Sequence, residues 1–235
     1  MIRPFNLMFA LRRTTTILSI GILTMTLMAA LSGILIAFNY QPAAGASYRS
    51  LQEIATHTNF GWLIEGMHHY AGNLVIALGL IQMVVMFVSR QFKRNWLVAW
   101  IAVIGFILAA IGLDWTAMVL DWTQTGFWRL SVELGTIEAI PFVGSLLRDI
   151  ITGGGGISTA TLLRLYTIHS YILSLGAVGL AIAHLAGTVL QDRQQQQDRF
   201  EQRKLQVEET LNRLVQENPA SNTPATEEVE TSNKN

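Results

Sequence analysis

Four side chains combine a chemistry-bearing type with regular spacing: His68, Gln82, His169 and His184. All four lie in long apolar runs, where a polar group is costly and usually functional. His169 and His184 are 15 residues apart, which leaves them about 60° apart around a helix and roughly 22 Å apart along it. His68 and Gln82 are 14 apart, which leaves about −40° and roughly 21 Å. Each pair shares a helix face. If the two helices run the same way, His68 matches His169 in depth and Gln82 matches His184. Any one of these residues taken alone could do no more than bond a neighbouring carbonyl. Two imidazoles facing each other at one depth point instead to axial ligation of a b-type haem. Small residues support that reading. Gly72 and Gly79 fall on the His68 face and Gly176 on the His169 face, where they let backbone approach a large planar group. His69 is one residue off the face and is expected at the interface. His57 lies between spans and carries no assignment.

The elements that position these residues follow from composition. The chain has 235 residues, 51% hydrophobic and 14% charged, a balance that points to membrane spans. It has no cysteine, which excludes disulfides, thiolate metal sites, iron–sulfur ligation and thioether haem attachment. A formal net charge of zero gives a nucleic-acid partner no electrostatic support. Four stretches, residues 14–38, 62–88, 96–119 and 161–190, reach the roughly 20 apolar residues that a bilayer requires. The first follows Arg3, Arg12 and Arg13 but is too long for a signal-peptide core, so it reads as a retained span. Arg90, Lys93 and Arg94 follow the second span. Arg193, Arg199, Arg203 and Lys204 follow the fourth. All these basic groups fall on one side, so both termini are expected in the cytoplasm or the equivalent compartment.

Between the third and fourth spans, residues 127–151 mix apolar positions with Arg129, Glu133, Arg148 and Asp149, the pattern of short amphipathic helices at the interface. Pro141 divides them and Gly153 to Gly156 end them. The expected organisation is a four-span bundle over residues 1–190, a polar cytoplasmic helical extension over 191–217 and a disordered tail over 218–235.

Longer motifs carry a resemblance. NYQPAAGASYRSLQEIATHTNFGWLIEGMHHYAG, LDWTQTGFW, AIPFVGSLLRDIITGG and TLLRLYTIHSYILSLGAVGLAIAHL resemble successive segments of cytochrome b and cytochrome b6, from about Asn39 to Leu190. The 15-residue histidine interval is that of cytochrome b6; mitochondrial-type cytochrome b has one residue fewer. The resemblance implies an all-α, four-transmembrane-helix haem-binding bundle with two stacked haems. His68 and His169 match the ligands of the positive-side haem, and Arg164 matches a residue near its propionates. Gly33 on span one and Ala117 on span three match the small residues flanking that haem. His184 matches one ligand of the cytoplasmic-side haem.

The departures cluster at the second haem. Gln82 stands where the other ligand should be, and Ser19 and Val103 add volume where the family has small walls. The expectation is one firm haem b, at His68 and His169, with a second uncertain. A five-coordinate iron on His184, or Gln82 as a weak sixth ligand, remains open. Glu65 stands where the family has an arginine near a propionate, and Asp121 replaces a proline; a solvated helix end is the favoured reading for Asp121. Ile17 lies where the family's haem-attaching cysteine would align. The Pro-Glu-Trp-Tyr run of a quinol-oxidation site is absent, so this chain alone is not a complete catalyst. The resemblance implies an electron-transfer subunit of a quinol:cytochrome c or plastocyanin-type oxidoreductase in a bacterial inner or thylakoid-type membrane. The expected partners are a subunit-IV-like protein, a Rieske iron–sulfur protein and a c-type cytochrome in an oligomeric complex, with lipid and quinol. The alternative is a divergent b6 paralogue serving as a structural or assembly subunit of another membrane complex.

Overall fold

The computed structural model describes residues 7–89 and 96–217, and every regular element among them is helical. In chain order these are α1 (Leu7–Ala37), α2 (Ser47–His57), α3 (Gly61–Val88), α4 (Leu97–Leu120), α5 (Gln124–Glu138), α6 (Gly144–Thr152), α7 (Thr159–Thr167), a π-helical segment (Ile168–Leu173) and α8 (Ser174–Glu217). Four of these runs are long and apolar enough to cross a membrane: Arg13–Ala37, Gly61–Val88, Leu97–Leu120 and the run that begins at Thr159. Arg3, Arg90, Lys93 and Arg94, and the tail from residue 218, lie outside the described residues.

Two compact units divide the chain, Met1–Val189 and Leu190–Asn235. In the second unit residues 196–217 are helical and exposed throughout. Its Arg213–Glu209 pair, one helical turn apart at 2.6 Å, is an ordinary surface contact.

The first unit holds the spans. α3 packs against α1 and α4, and α4 also packs against α7 and the π segment. One core, built on Ile22, Met86, Val103, Phe106, Ile107 and Ala181, joins α1, α3, α4 and α8. A second core, with Val119, Leu130, Leu134, Leu162 and Leu165, joins the end of α4 to α5 and α7. Short connections are pinned by hydroxyls. Tyr40 and Ser47 both donate to the Leu120 carbonyl, at 2.8 and 2.7 Å, and so tie the α1–α2 connection to the end of α4. Burial pushes the Tyr40 hydroxyl up to about 12. Thr123 caps α5 by accepting the Gly126 N–H, and Ser158 and Thr161 form a reciprocal capping box at α7.

α5 and α6 are the amphipathic pair expected between the third and fourth spans. α2 is a helix between the first two spans, where the sequence reading places no element. Its 11 residues are amphipathic in their own sequence; the helix packs on α3, and its first residue, Ser47, bonds the Leu120 carbonyl at the end of α4.

The π segment changes the geometry around His169. Ser174 N–H donates to the His169 carbonyl, an i→i−5 bond. A π turn holds about one residue more than an α turn. The 15 residues between His169 and His184 therefore span the arc of about 14 α-helical residues, close to −40° rather than 60°. That matches the His68–Gln82 offset on α3.

Candidate functional site

His68 projects from α3 and His169 from the π segment. Their ring centres are 6.2 Å apart, with planes inclined at 57°. His68 Nδ1–H donates to the Ala29 carbonyl at 2.9 Å. His169 Nδ1–H donates to Thr116 Oγ1 at 2.8 Å. The Thr116 hydroxyl proton is itself committed to the Gly112 and Leu113 carbonyls, at 2.8 and 2.9 Å, so Thr116 can only accept from the ring. Both imidazoles are thus held as Nδ1–H tautomers, with Nε2 carrying the lone pair. Gly33 lies flat against His68: a Cβ at Gly33 would stand 2.8 Å from His68 Cε1 and 3.2 Å from Nδ1. Only the absence of that carbon lets the ring lie where it does.

These histidines line a cavity of about 630 Å³, together with Gly33, Gly72, Ala117 and Ala177. That volume falls within the ordinary range for a ligand site, about 300–1,000 Å³. Glu65, His69, Asp114 and Asp121 also line it. Asn73 donates to His69 at 3.2 Å. Burial pushes the Asp121 carboxyl up; His69 opposes that shift and Glu65 adds to it.

Three expected site residues lie elsewhere. Gly176 does not line this cavity, because the extra residue of the π turn moves Ala177 onto the His169 face in its place. Gly79 is buried against α4: a Cβ there would meet Ile107 Cγ1 at 3.1 Å and Phe106 Cε1 at 3.7 Å. Arg164 points to the end of α6, where it donates to the Asp149 and Ile150 carbonyls at 3.1 and 2.6 Å. It stabilises a helix C-terminus there rather than facing the cavity.

Gln82 and His184 do meet, at the other depth. His184 Nδ1–H donates to the Ala99 carbonyl at 2.9 Å. Its Nε2 lies 2.8 Å from Gln82 Nε2, which donates to it, and 3.1 Å from Ser19 Oγ. Ser19 sends its own proton to the Thr15 carbonyl at 2.8 Å and accepts from Gln82 at 3.1 Å. Ser19, Gln82 and His184 are each 1% exposed or less. No group of three or more histidine or carboxylate side chains among the described residues is placed to hold a bare metal ion.

The chain matches the family model described as Cytochrome b/b6/petB over residues 9–192. It belongs to that family. Cytochrome b6 of Oltmannsiellopsis viridis is 29% identical over 161 residues, covering 68% of this chain and 75% of the relative. Cytochrome b6 of Chlamydomonas reinhardtii is 29% identical over 167 residues, covering 70% and 78%. A chain of the solved structure "Hyperthermophilic respiratory Complex III" superposes with a TM-score of 0.63 at 21% identity, covering 75% of this chain and 47% of that one. This chain thus spans about half the length of that structural relative, and the likeness shows a shared fold.

As a cytochrome b/b6 family member the chain is an integral membrane protein with four candidate spans, and electron transport is implied by the family. The family carries haem b, so each site can be tested for fit. Metal–imidazole bonds run about 2 Å. The His68 and His169 rings, with centres 6.2 Å apart, are close enough that both would hold one iron placed between them. With both Nδ1–H groups committed and small residues along the walls, the first site fits a bis-imidazole haem. The second site does not. His184 Nε2 already accepts a hydrogen bond, and Gly79 is closed by Ile107.

Sequence reasoning missed Ala29, Thr116 and Ala177. Ala29 acts through its carbonyl and leaves no side-chain signal. Thr116 is a hydroxyl near the end of the third span, next to Ala117, a signal that was available. Ala177 was hidden by the assumption of uniform α-helix.

Proposed function

We propose that this protein is a transmembrane b-type cytochrome subunit with one haem b, held by His68 and His169 on the positive side of the membrane. The observation that carries this reading is the pair of imidazoles with centres 6.2 Å apart, both with Nδ1–H engaged, across a cavity of about 630 Å³. When bound, the haem supplies one-electron chemistry. The chain's own residues do the rest. Ala29 and Thr116 fix the tautomers and ring directions, as groups behind metal ligands do. Gly33, Gly72, Ala117 and Ala177 leave room for the macrocycle. The apolar part of the lining helps set the potential. The protein carries electrons within a quinol-oxidising bc- or b6f-like complex. Its partners are a subunit-IV-like protein, a Rieske iron–sulfur protein and a c-type cytochrome, and both termini are cytoplasmic.

A pyridine haemochrome assay with protein quantitation tests this on the wild type and on His169→Ala. One haem per wild-type chain and loss of the low-spin spectrum in the variant are expected. A wild type without haem, or a variant with an unchanged spectrum, refutes the reading.

One observation favours a second reading, a structural or assembly subunit of another membrane complex. The cavity lining holds Glu65, Asp114 and Asp121 and, among the described residues, no lysine or arginine. A group with anionic propionates would meet like charge there. Purification of the chain without haem, in a complex lacking a Rieske protein, would support that alternative.

A further inference from the structure

We infer that the second haem position has become a hydrogen-bonded plug, closed by its walls as well as by the lost ligand, so that histidine at position 82 does not reopen it. The inference deepens the one-haem reading and rests on it only for the total count.

Three observations converge. The first is donor chemistry. An imidazole binds a metal through a nitrogen lone pair, and His184 has none to spare. Nδ1 donates to Ala99 and Nε2 accepts from Gln82 at 2.8 Å. Ser19 cannot give His184 a second proton, because its hydroxyl is spent on the Thr15 carbonyl. The donor role of Gln82 is therefore specific. The amide turned the other way would set oxygen against a ring nitrogen that carries a lone pair.

The second is volume. Ala99, Val103 and Ile107 recur every four residues on α4 and form one stripe. At one end of it Ala99 packs on Gly187, whose added Cβ would fall 3.2 Å away. At the other end Ile107 closes on Gly79 at 3.1 Å. Val103, between them, is completely buried. The glycine on α3 that could have left a slot for a macrocycle instead receives the Ile107 side chain. The site at His68 differs: Gly72 there has nothing within 4 Å of an added Cβ and borders open cavity.

The third is the remaining polarity. Gln82 Oε1 is buried with no hydrogen-bond partner among the described residues. An orphan acceptor is costly in a span. Both Nε2–H groups of Gln82 are engaged, on His184 and Ser19, so the donor side of the amide is the side that the site uses. The three residues join α1, α3 and α8, and Ala99 adds α4. The plug thus ties together all four membrane-spanning helical runs where the haem of the family would otherwise do so.

The test uses the full chain, purified in detergent from membranes of cells supplied with haem. Wild type, Gln82→His and His184→Gln are compared for haem-to-chain ratio and number of potentiometric waves. The plug predicts the same ratio and the same single wave in all three. It also predicts a lower thermal midpoint for Gln82→Leu, which removes the amide donor. A second haem or second wave in wild type overturns the inference and leaves the first site intact. A gain of one haem in Gln82→His shows that the ligand alone was missing and overturns it as well. Loss of haem in a His184→Gln protein that circular dichroism shows to be folded also overturns it. If wild type holds no haem, the proposed function fails, yet Gln82→His still reads the second position by itself: a ratio that stays at zero supports the plug and a gain refutes it.

Discussion

Replacing Gly33 by alanine probes the seat of the His68 ring directly. The new Cβ would stand 2.8 Å from Cε1, 3.2 Å from Nδ1 and 3.8 Å from Nε2 of His68. Carbon–carbon contacts settle at about 3.5–4.0 Å, so the ring must withdraw by about 0.7 Å or more. The hydrogen bond that aims it is Nδ1–H to the Ala29 carbonyl, at 2.9 Å, one turn earlier on the same helix. A withdrawal of that size lengthens or tilts this bond and shifts the spacing to His169. Overpacking of a tight site costs about 1–3 kcal/mol, which is roughly fivefold to 150-fold in affinity at about 1.4 kcal/mol per factor of ten. The measurement is a haem titration of the apo-chain in detergent, followed at the Soret band, with circular dichroism as a check on folding. Gly66→Ala is the control, because an added Cβ there has nothing within 4 Å and Gly66 does not border the cavity. A folded Gly33→Ala protein that binds haem within twofold of wild type, with an unchanged low-spin spectrum, refutes the proposed ring geometry.

Other expectations follow from single contacts. Thr116→Val removes the acceptor of His169 Nδ1–H and should weaken haem binding about tenfold to a hundredfold, while Thr116→Ser retains it; equal affinities for the two would remove Thr116 from the site. Tyr40 keeps its proton up to about 12 when folded and gives it up near 10.0 when unfolded. The native state therefore binds more protons in that window, and stability must fall as pH rises through it. Tyr40→Phe should flatten that fall in denaturant melts at stepped pH, and an unchanged slope would contradict the assignment. Arg164→Leu should speed hydrogen exchange across residues 144–152, because the Ile150 carbonyl loses the guanidinium and Asp149 keeps only the Gly153 and Gly154 N–H groups. Haem affinity should stay the same in that variant, whereas a large drop would place Arg164 at the cavity.

The four spans were legible because apolar length is a one-dimensional property that needs no partner to read. The pairing of His68 with His169 was legible for a similar reason: helical period and equal depth are both countable in sequence. α2 went unread although its 11 residues are amphipathic; its packing on α3 and the Ser47 bond to the end of α4 are what only the structure shows. Arg164 was misplaced because its guanidinium bonds two carbonyls at a helix end, those of Asp149 and Ile150. Gln82 was seen as an anomaly by residue type. That its amide hydrogen would land on the ring nitrogen otherwise available to a metal required distances.

The π turn at Ile168–Leu173 makes residue counting an unreliable ruler in this fold. An inserted residue absorbed there leaves the two ends of the fourth span facing the same direction as in a chain without it. Two homologues whose histidine intervals differ by one can therefore superpose without displacement at either histidine. An alignment that opens its gap anywhere else between His169 and His184 pairs the wrong residues over that stretch. A one-residue deletion within the segment should be tolerated as a return to plain α-helix. The same deletion a turn further on, inside α8, would rotate His184 by about 100° and break its contacts with Gln82, Ser19 and Ala99 together.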